Sequence, residues 1–207
     1  MTRANLKAVI FDCDGVMFDT NRANAAYYNQ ILEQFGRPPL TPEQFKYCHM
    51  HTGDEAMRYL FDDTGLAEAA QDYRMKMGYS RFIQLMEIEP HLKPLVASLR
   101  PGIKTAVGTN RADTMAEVMD VHGLSDFFDL VVTSRDVPTP KPAPDILNRV
   151  LTHFALEPAQ ALYIGDSVVD EQAAAAAGIP FVAYGDPGLR AEHHITSLDE
   201  IRTLIKP

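Results

Sequence analysis

Val9, Ile10 and Phe11 form an unbroken apolar run that stops at Asp12. A short β-branched and aromatic run bounded by turn formers is the pattern of a strand covered on both faces. Helical spacing follows: Tyr28, Ile31, Leu32 and Phe35 recur three or four apart, and Gly36 before Pro38-Pro39 supplies a stop. Helical segments are expected to about residue 100. Thr41-Pro42-Glu43 has the form of a capped helix start, Ala56 to Phe61 is a short apolar piece, and Leu66 to Met86 is long and rich in Met and Tyr. None of these pieces alternates as a strand does. Met57, Met75, Met77, Met86 and the tyrosines are expected to pack a helical core.

From residue 104 the pattern alternates. Strands are expected over 105–109, 130–133, 161–165 and 181–184, with a short edge strand beginning at Ile195. Helices are expected over 111–122, 144–154, 168–177 and 198–205, the first and third closed by Gly123 and Gly178. Strands alternating with helices imply βαβ units and a parallel sheet, to which the first strand also belongs. The helical stretch is then an insertion in an α/β fold.

Composition narrows the class. A chain of 207 residues with 46% hydrophobic and 23% charged residues suits one domain with an insertion, and neither disorder nor a fibre. A net charge of −9 without a Lys/Arg cluster disfavours nucleic acid and anionic membrane as partners. Cys13 and Cys48 alone make no disulfide scaffold, no charged-then-apolar leader opens the chain, and no apolar run approaches the ~20 residues of a membrane span. A cytoplasmic location is expected.

Polar residues cluster where the strands end. Ligands of an open parallel sheet bind at the strands' carboxyl ends. There the chain places Asp12 and Asp14, then Thr109-Asn110, then Lys141 in a proline-stiffened loop, then Gly165-Asp166-Ser167 and Asp170. Two carboxylates two residues apart repel each other, so a hard divalent cation is expected beside them, Mg²⁺ first. Each residue also has a plainer reading. Asp-Cys-Asp-Gly could be a polar turn, Thr109 a helix cap, Lys141 a solvated lysine, and Ser167 with Asp170 a capping box. Asp166 is harder to set aside, because it follows a glycine beside a helix N-terminus, where anions are favoured. Together the set has the parts that phosphoryl transfer needs: charge neutralisation, donors for phosphoryl oxygens and a proton carrier.

Asp12-x-Asp14-Gly15-Val16, Thr109-Asn110, Lys141-Pro142 and Gly165-Asp166-x-x-x-Asp170 resemble, in order and spacing, the four motifs of the haloacid dehalogenase superfamily. The resemblance covers essentially the whole chain and is strongest to the phosphoglycolate phosphatase and β-phosphoglucomutase group. It implies a Rossmann-like parallel sheet core, 1–16 and 101–207, with an inserted α-helical cap domain, 17–100. It further implies that Asp12 is a nucleophile forming an aspartyl-phosphate and that Asp14 is the acid/base. Thr109, Asn110 and Lys141 would bind the phosphate. Asp12, the Asp14 backbone carbonyl and Asp166 would hold Mg²⁺, with Asp170 in support. Arg111, His49, His51 and Thr52 are candidates for substrate contact, while Arg135 and Asp186 are weaker ones. Asp14 must carry a proton in one half-reaction and lose it in the next, so an elevated proton affinity is expected of it.

The function expected is a Mg²⁺-dependent phosphatase acting on a small phosphate ester, as monomer or homodimer. The alternatives are a β-phosphoglucomutase-like phosphomutase and a catalytically silent phosphate- or partner-binding relative. Asp-Gly-Val favours the mutase, but Cys48-His-Met-His-Thr-Gly-Asp54 lacks the basic residue that group uses for a second phosphate. Dehalogenation and phosphonate hydrolysis are disfavoured because Asp14 is present.

Overall fold

The computed structural model describes residues 5–62 and 65–205, so 1–4, 63–64 and 206–207 of the expected core and cap segments lie outside it. The chain divides into two compact units, Met1–Asp19 with Ile88–Pro207, and Thr20–Glu87.

The chain begins with β1 (Ala8–Phe11) and β2 (Phe18–Asp19). Among the described residues the helices α1 (Asn21–Gln34), α2 (Pro42–Met50), α3 (Gly53–Phe61), α4 (Ala67–Met77) and α5 (Ser80–Ile83) follow. Then come β3 (Glu87–Ile88), α6 (Leu92–Leu99), β4 (Lys104–Thr109), α7 (Met115–Val121), β5 (Leu130–Thr133) and α8 (Asp145–Phe154). The chain continues through β6 (Ala161–Gly165), α9 (Val168–Ala177), β7 (Phe181–Tyr184), β8 (His193–Ile195) and α10 (Ile201–Leu204). The first unit is built on a six-stranded sheet of order β5-β4-β1-β6-β7-β8, parallel throughout.

β1 lies inside this sheet, and all four of its residues are fully buried. That burial explains why it reads as a continuous apolar run rather than an alternating one. Phe11 is in register with Val107 of β4 and Ile164 of β6, so the residues just beyond β1, β4 and β6 emerge along one edge. Ile10, Ala106 and Val132 of the sheet pack with Ile146, Leu147 and Val150 of α8 in one core cluster. Each of the Ile, Leu and Val side chains contributes about 1.5–3 kcal/mol on burial, so this edge rests on a stiff frame.

Several elements differ from the sequence expectation. The long helix over 66–86 is two helices, because Gly78 takes a positive φ of 65° at the end of α4. α7 starts at Met115 rather than 111, since the Thr109 hydroxyl accepts the Arg111 N–H and holds 109–111 in a turn. The edge strand ends at Ile195 instead of beginning there, and 198–205 opens with a 3₁₀ turn before α10. Two two-residue strands, β2 and β3, pair within a stretch expected to be all helix. α6 belongs to the first unit, which leaves the inserted unit shorter than 17–100.

The helical unit is organised by aromatic packing. Tyr27, Tyr79 and Phe82 meet edge to face, with Tyr27 4.8 Å from Tyr79 and 5.4 Å from Phe82. Capping boxes at Thr41 and Thr52 start α2 and α3.

Candidate active site

Asp12 is the first residue past β1, and its main-chain N–H still donates to Ile164 O at 2.9 Å, so the strand carries the acid to the sheet edge. Facing it is Lys141. Its Nζ donates to Asp12 Oδ1 at 2.7 Å, to Asp170 Oδ1 at 2.7 Å and to the Tyr163 hydroxyl at 2.9 Å. An ammonium has three protons, and all three are engaged. Lys141 is buried, which lowers its proton affinity, but Asp12 and Asp170 outweigh that and hold its pKa above the ordinary lysine value.

Asp170 has no solvent exposure. Its Oδ1 accepts from Lys141 and from the Tyr163 hydroxyl at 2.6 Å, while its Oδ2 accepts the Ser167 N–H at 3.1 Å and the Ser167 hydroxyl. Burial pushes its pKa up, yet Lys141, Ser167 and Tyr163 together hold it below the ordinary carboxylate value. Asp12 goes the other way: burial raises its pKa most, Lys141 opposes, and Asp170 and Asp166 add to the rise. One lysine among these acids therefore leaves the Asp12 charge incompletely balanced.

Asp12, Asp166 and Asp170 each offer an oxygen within 4.8 Å of the others. Hard oxygen donors with a deficit of positive charge fit a divalent cation such as Mg²⁺. The four donors already on Asp170 occupy both of its oxygens, so it anchors Lys141 and, of the three acids, has the least left to offer a cation. Two glycines make the approach possible. Gly15 has a φ of 87°, and a Cβ there would collide with the Asp166 carboxylate; a Cβ on Gly165 would collide with Asp170.

Asp14 faces Arg111 instead of this cluster. Arg111 Nε donates to Asp14 Oδ2 at 2.9 Å and Nη2 to Oδ1 at 2.6 Å, a bidentate pair with side chains only 7% and 14% exposed. Arg111 Nη1 donates to Thr114 Oγ1 at 2.8 Å. A guanidinium clasped this way engages both oxygens of the carboxylate at once. Thr109 is 1% exposed, and its hydroxyl accepts the Arg111 N–H at 3.0 Å, leaving its proton directed elsewhere.

The expected phosphate ligand Asn110 has a different use for its side-chain amide: Nδ2 donates to Lys141 O and Oδ1 accepts the Lys141 N–H, both at 2.9 Å. This clasp fixes the loop that delivers Lys141. Arg135 pairs with Asp113, and Asp186 accepts the Gly188 N–H at 2.8 Å within a turn. His49, His51 and Thr52 lie in the helical unit, each with partners there. His49 Nδ1 is 3.3 Å from Asn24 Nδ2, His51 stacks on Tyr47 at 3.9 Å, and Thr52 caps α3. Tyr163 was missed by sequence reasoning. Its signal is a lone hydroxyl in the buried strand Ala161-Leu-Tyr-Ile-Gly165, where a hydroxyl needs a partner.

The sequence profile of the haloacid dehalogenase-like hydrolases matches residues 9–184. The chain belongs to that family. This hydrolase is 31% identical over 229 residues to a phosphoglycolate phosphatase of Chromobacterium violaceum, covering 100% of this chain and 99% of that protein. Among solved structures it is similar to a HAD-superfamily hydrolase, subfamily IA, variant 1, from Geobacter sulfurreducens. That likeness has a TM-score of 0.79 and 38% identity, over 98% of this chain and 97% of the other. A β-phosphoglucomutase of Clostridium difficile shares the fold, with a TM-score of 0.81 and 18% identity over 96% of each chain. Among the described residues of the hydrolase, no helix is long and apolar enough to cross a membrane.

Proposed function

We propose that this hydrolase is a Mg²⁺-dependent cytoplasmic phosphatase of a small phosphate ester, working through an aspartyl-phosphate on Asp12, with the helical unit as its cap. The observation that carries this reading is the buried Asp12 held by Lys141 at the carboxyl edge of a central strand, with Asp166 alongside. The relatives named phosphoglycolate phosphatase support it.

In the first half-reaction an Asp12 oxygen attacks phosphorus while the bond to the leaving oxygen breaks, and Asp14 gives that oxygen its proton. In the second, Asp14 takes a proton from water, whose oxygen attacks the aspartyl-phosphate, freeing inorganic phosphate and restoring Asp12. Lys141 aims the Asp12 carboxylate, and the Thr109 hydroxyl would donate to a phosphoryl oxygen. Asp12, Asp166 and the Asp14 carbonyl would hold Mg²⁺, which when bound would supply the charge that a carboxylate needs before it can approach a phosphate dianion. Asp14 has to leave Arg111 to act.

The test is hydrolysis of an aryl phosphate, expected with Mg²⁺ and lost with chelator. Asp12→Asn retaining more than a few per cent of activity would remove the nucleophile assignment. Efficient, bisphosphate-primed interconversion of sugar monophosphates would turn the reading to a mutase; against that stands the absence of Lys and Arg from 48–54.

A further inference from the structure

Arg111 is a cation at a site whose substrate is an anion, yet it is bound to the acid/base. Among the cations that the first unit brings to this edge, Lys141 has its three protons on Asp12, Asp170 and Tyr163, and Arg135 is on Asp113. Arg111 is the one whose fork lies on a group that the reaction must mobilise. Its main chain is fixed by Thr109 Oγ1 at 3.0 Å and its Nη1 is steadied by Thr114 at 2.8 Å. The fork formed by Nε and Nη2 grips two oxygens of one carboxylate. That grip is selective for planar two-oxygen anions, which a point charge would not be.

We infer that Arg111 is a specificity-determining residue that reads a carboxylate on the leaving-group side of the phosphate ester and releases Asp14 by exchanging one carboxylate for the other. The inference rests on the proposed phosphatase reading, because Asp14 serves the leaving oxygen there. A residue clasped to Asp14 is then one side chain away from the leaving group, so a carboxylate one or two bonds beyond the leaving oxygen comes within its reach. The exchange conserves the guanidinium's ion pair, so the acid/base is freed at little cost only by a substrate that brings its own carboxylate. A substrate lacking that group must break the Arg111–Asp14 pair without a replacement.

The experiment compares 2-phosphoglycolate with its neutral carboxamide isostere and with p-nitrophenyl phosphate, on the full-length Mg²⁺-loaded protein. Wild type is expected to prefer the acid to the amide by about 10- to 100-fold in kcat/KM, the range for a hydrogen bond to a charged group. Arg111→Met should collapse that preference to within about threefold, mainly by raising KM for the acid. Arg111→Lys, which keeps the charge without the fork, should recover only part of it. The wild-type comparison stands even if Arg111→Met does not fold. Equal use of acid and amide by wild type overturns the inference while leaving the phosphatase reading intact. So does an Arg111→Met defect that lowers all three substrates by the same factor. Failure to hydrolyse any of the three substrates overturns both.

Discussion

Lys141 Nζ lies 2.7 Å from Oδ1 of Asp170, a carboxylate with no solvent exposure that belongs to the first turn of α9. A buried ion pair contributes little net stability, but removing one partner leaves an uncompensated charge. Lys141→Met is therefore expected to cost about 3–5 kcal/mol in urea unfolding at neutral pH. Combining it with Asp170→Asn should recover a large part of that loss. Additive single-mutant costs would show that the two residues are not coupled.

Tyr163 joins the same pair from β6, accepting from Lys141 and donating to Asp170. Tyr163→Phe keeps the ring and removes one buried hydrogen bond from each partner, so a loss of about 1–3 kcal/mol is expected from denaturant titration. Turnover should fall as well, because the Lys141 ammonium then has one contact fewer to hold it on Asp12. A variant as stable as wild type would mean that the hydroxyl contributes nothing to the network.

Bound Mg²⁺ should stabilise the fold in proportion to its occupancy. At a hundredfold excess over Kd the linkage is worth about 2.7 kcal/mol, so the melting midpoint is expected to rise with Mg²⁺ and fall back with chelator. Asp166→Asn should abolish the rise, since the proposed site takes Asp166 as a ligand. An unchanged rise in that variant would move the cation elsewhere.

Asp129 gives a pH dependence away from the site. Burial raises its pKa, but the Thr105 N–H, Arg100 and Lys104 together leave it lowered. A lowered folded-state value means that the unfolded chain binds the proton more readily, so stability rises with pH through this window. The contribution is present above the ordinary aspartate value of about 3.9 and is lost as pH falls through the lower folded one. Asp129→Asn is expected to flatten the acid side of the stability profile, and an unchanged slope would remove Asp129 as its source.

The apolar run before Asp12, the helix-strand alternation after residue 104 and the glycines closing the helices were legible because they follow from local physics. Burial on both faces demands a continuous apolar strand, and chain reversal demands glycine at a positive φ. The order of acid, threonine, lysine and acid along the chain carried the family, since strand ends in a parallel sheet share one edge. Linear order says nothing about which polar atoms meet: that Arg111 grips Asp14 and that the Asn110 amide clasps the main chain of Lys141 could not be read from it. Tyr163 carried no expectation of its own, and only the fold brings Lys141 and Asp170 beside its hydroxyl. The sequence alone determined the sheet, the edge on which its acids lie and the family. Only the tertiary structure decided the partners, because hydrogen bonds at 2.6–2.9 Å between residues as far apart as Asp14 and Arg111 depend on how strands and loops register in space.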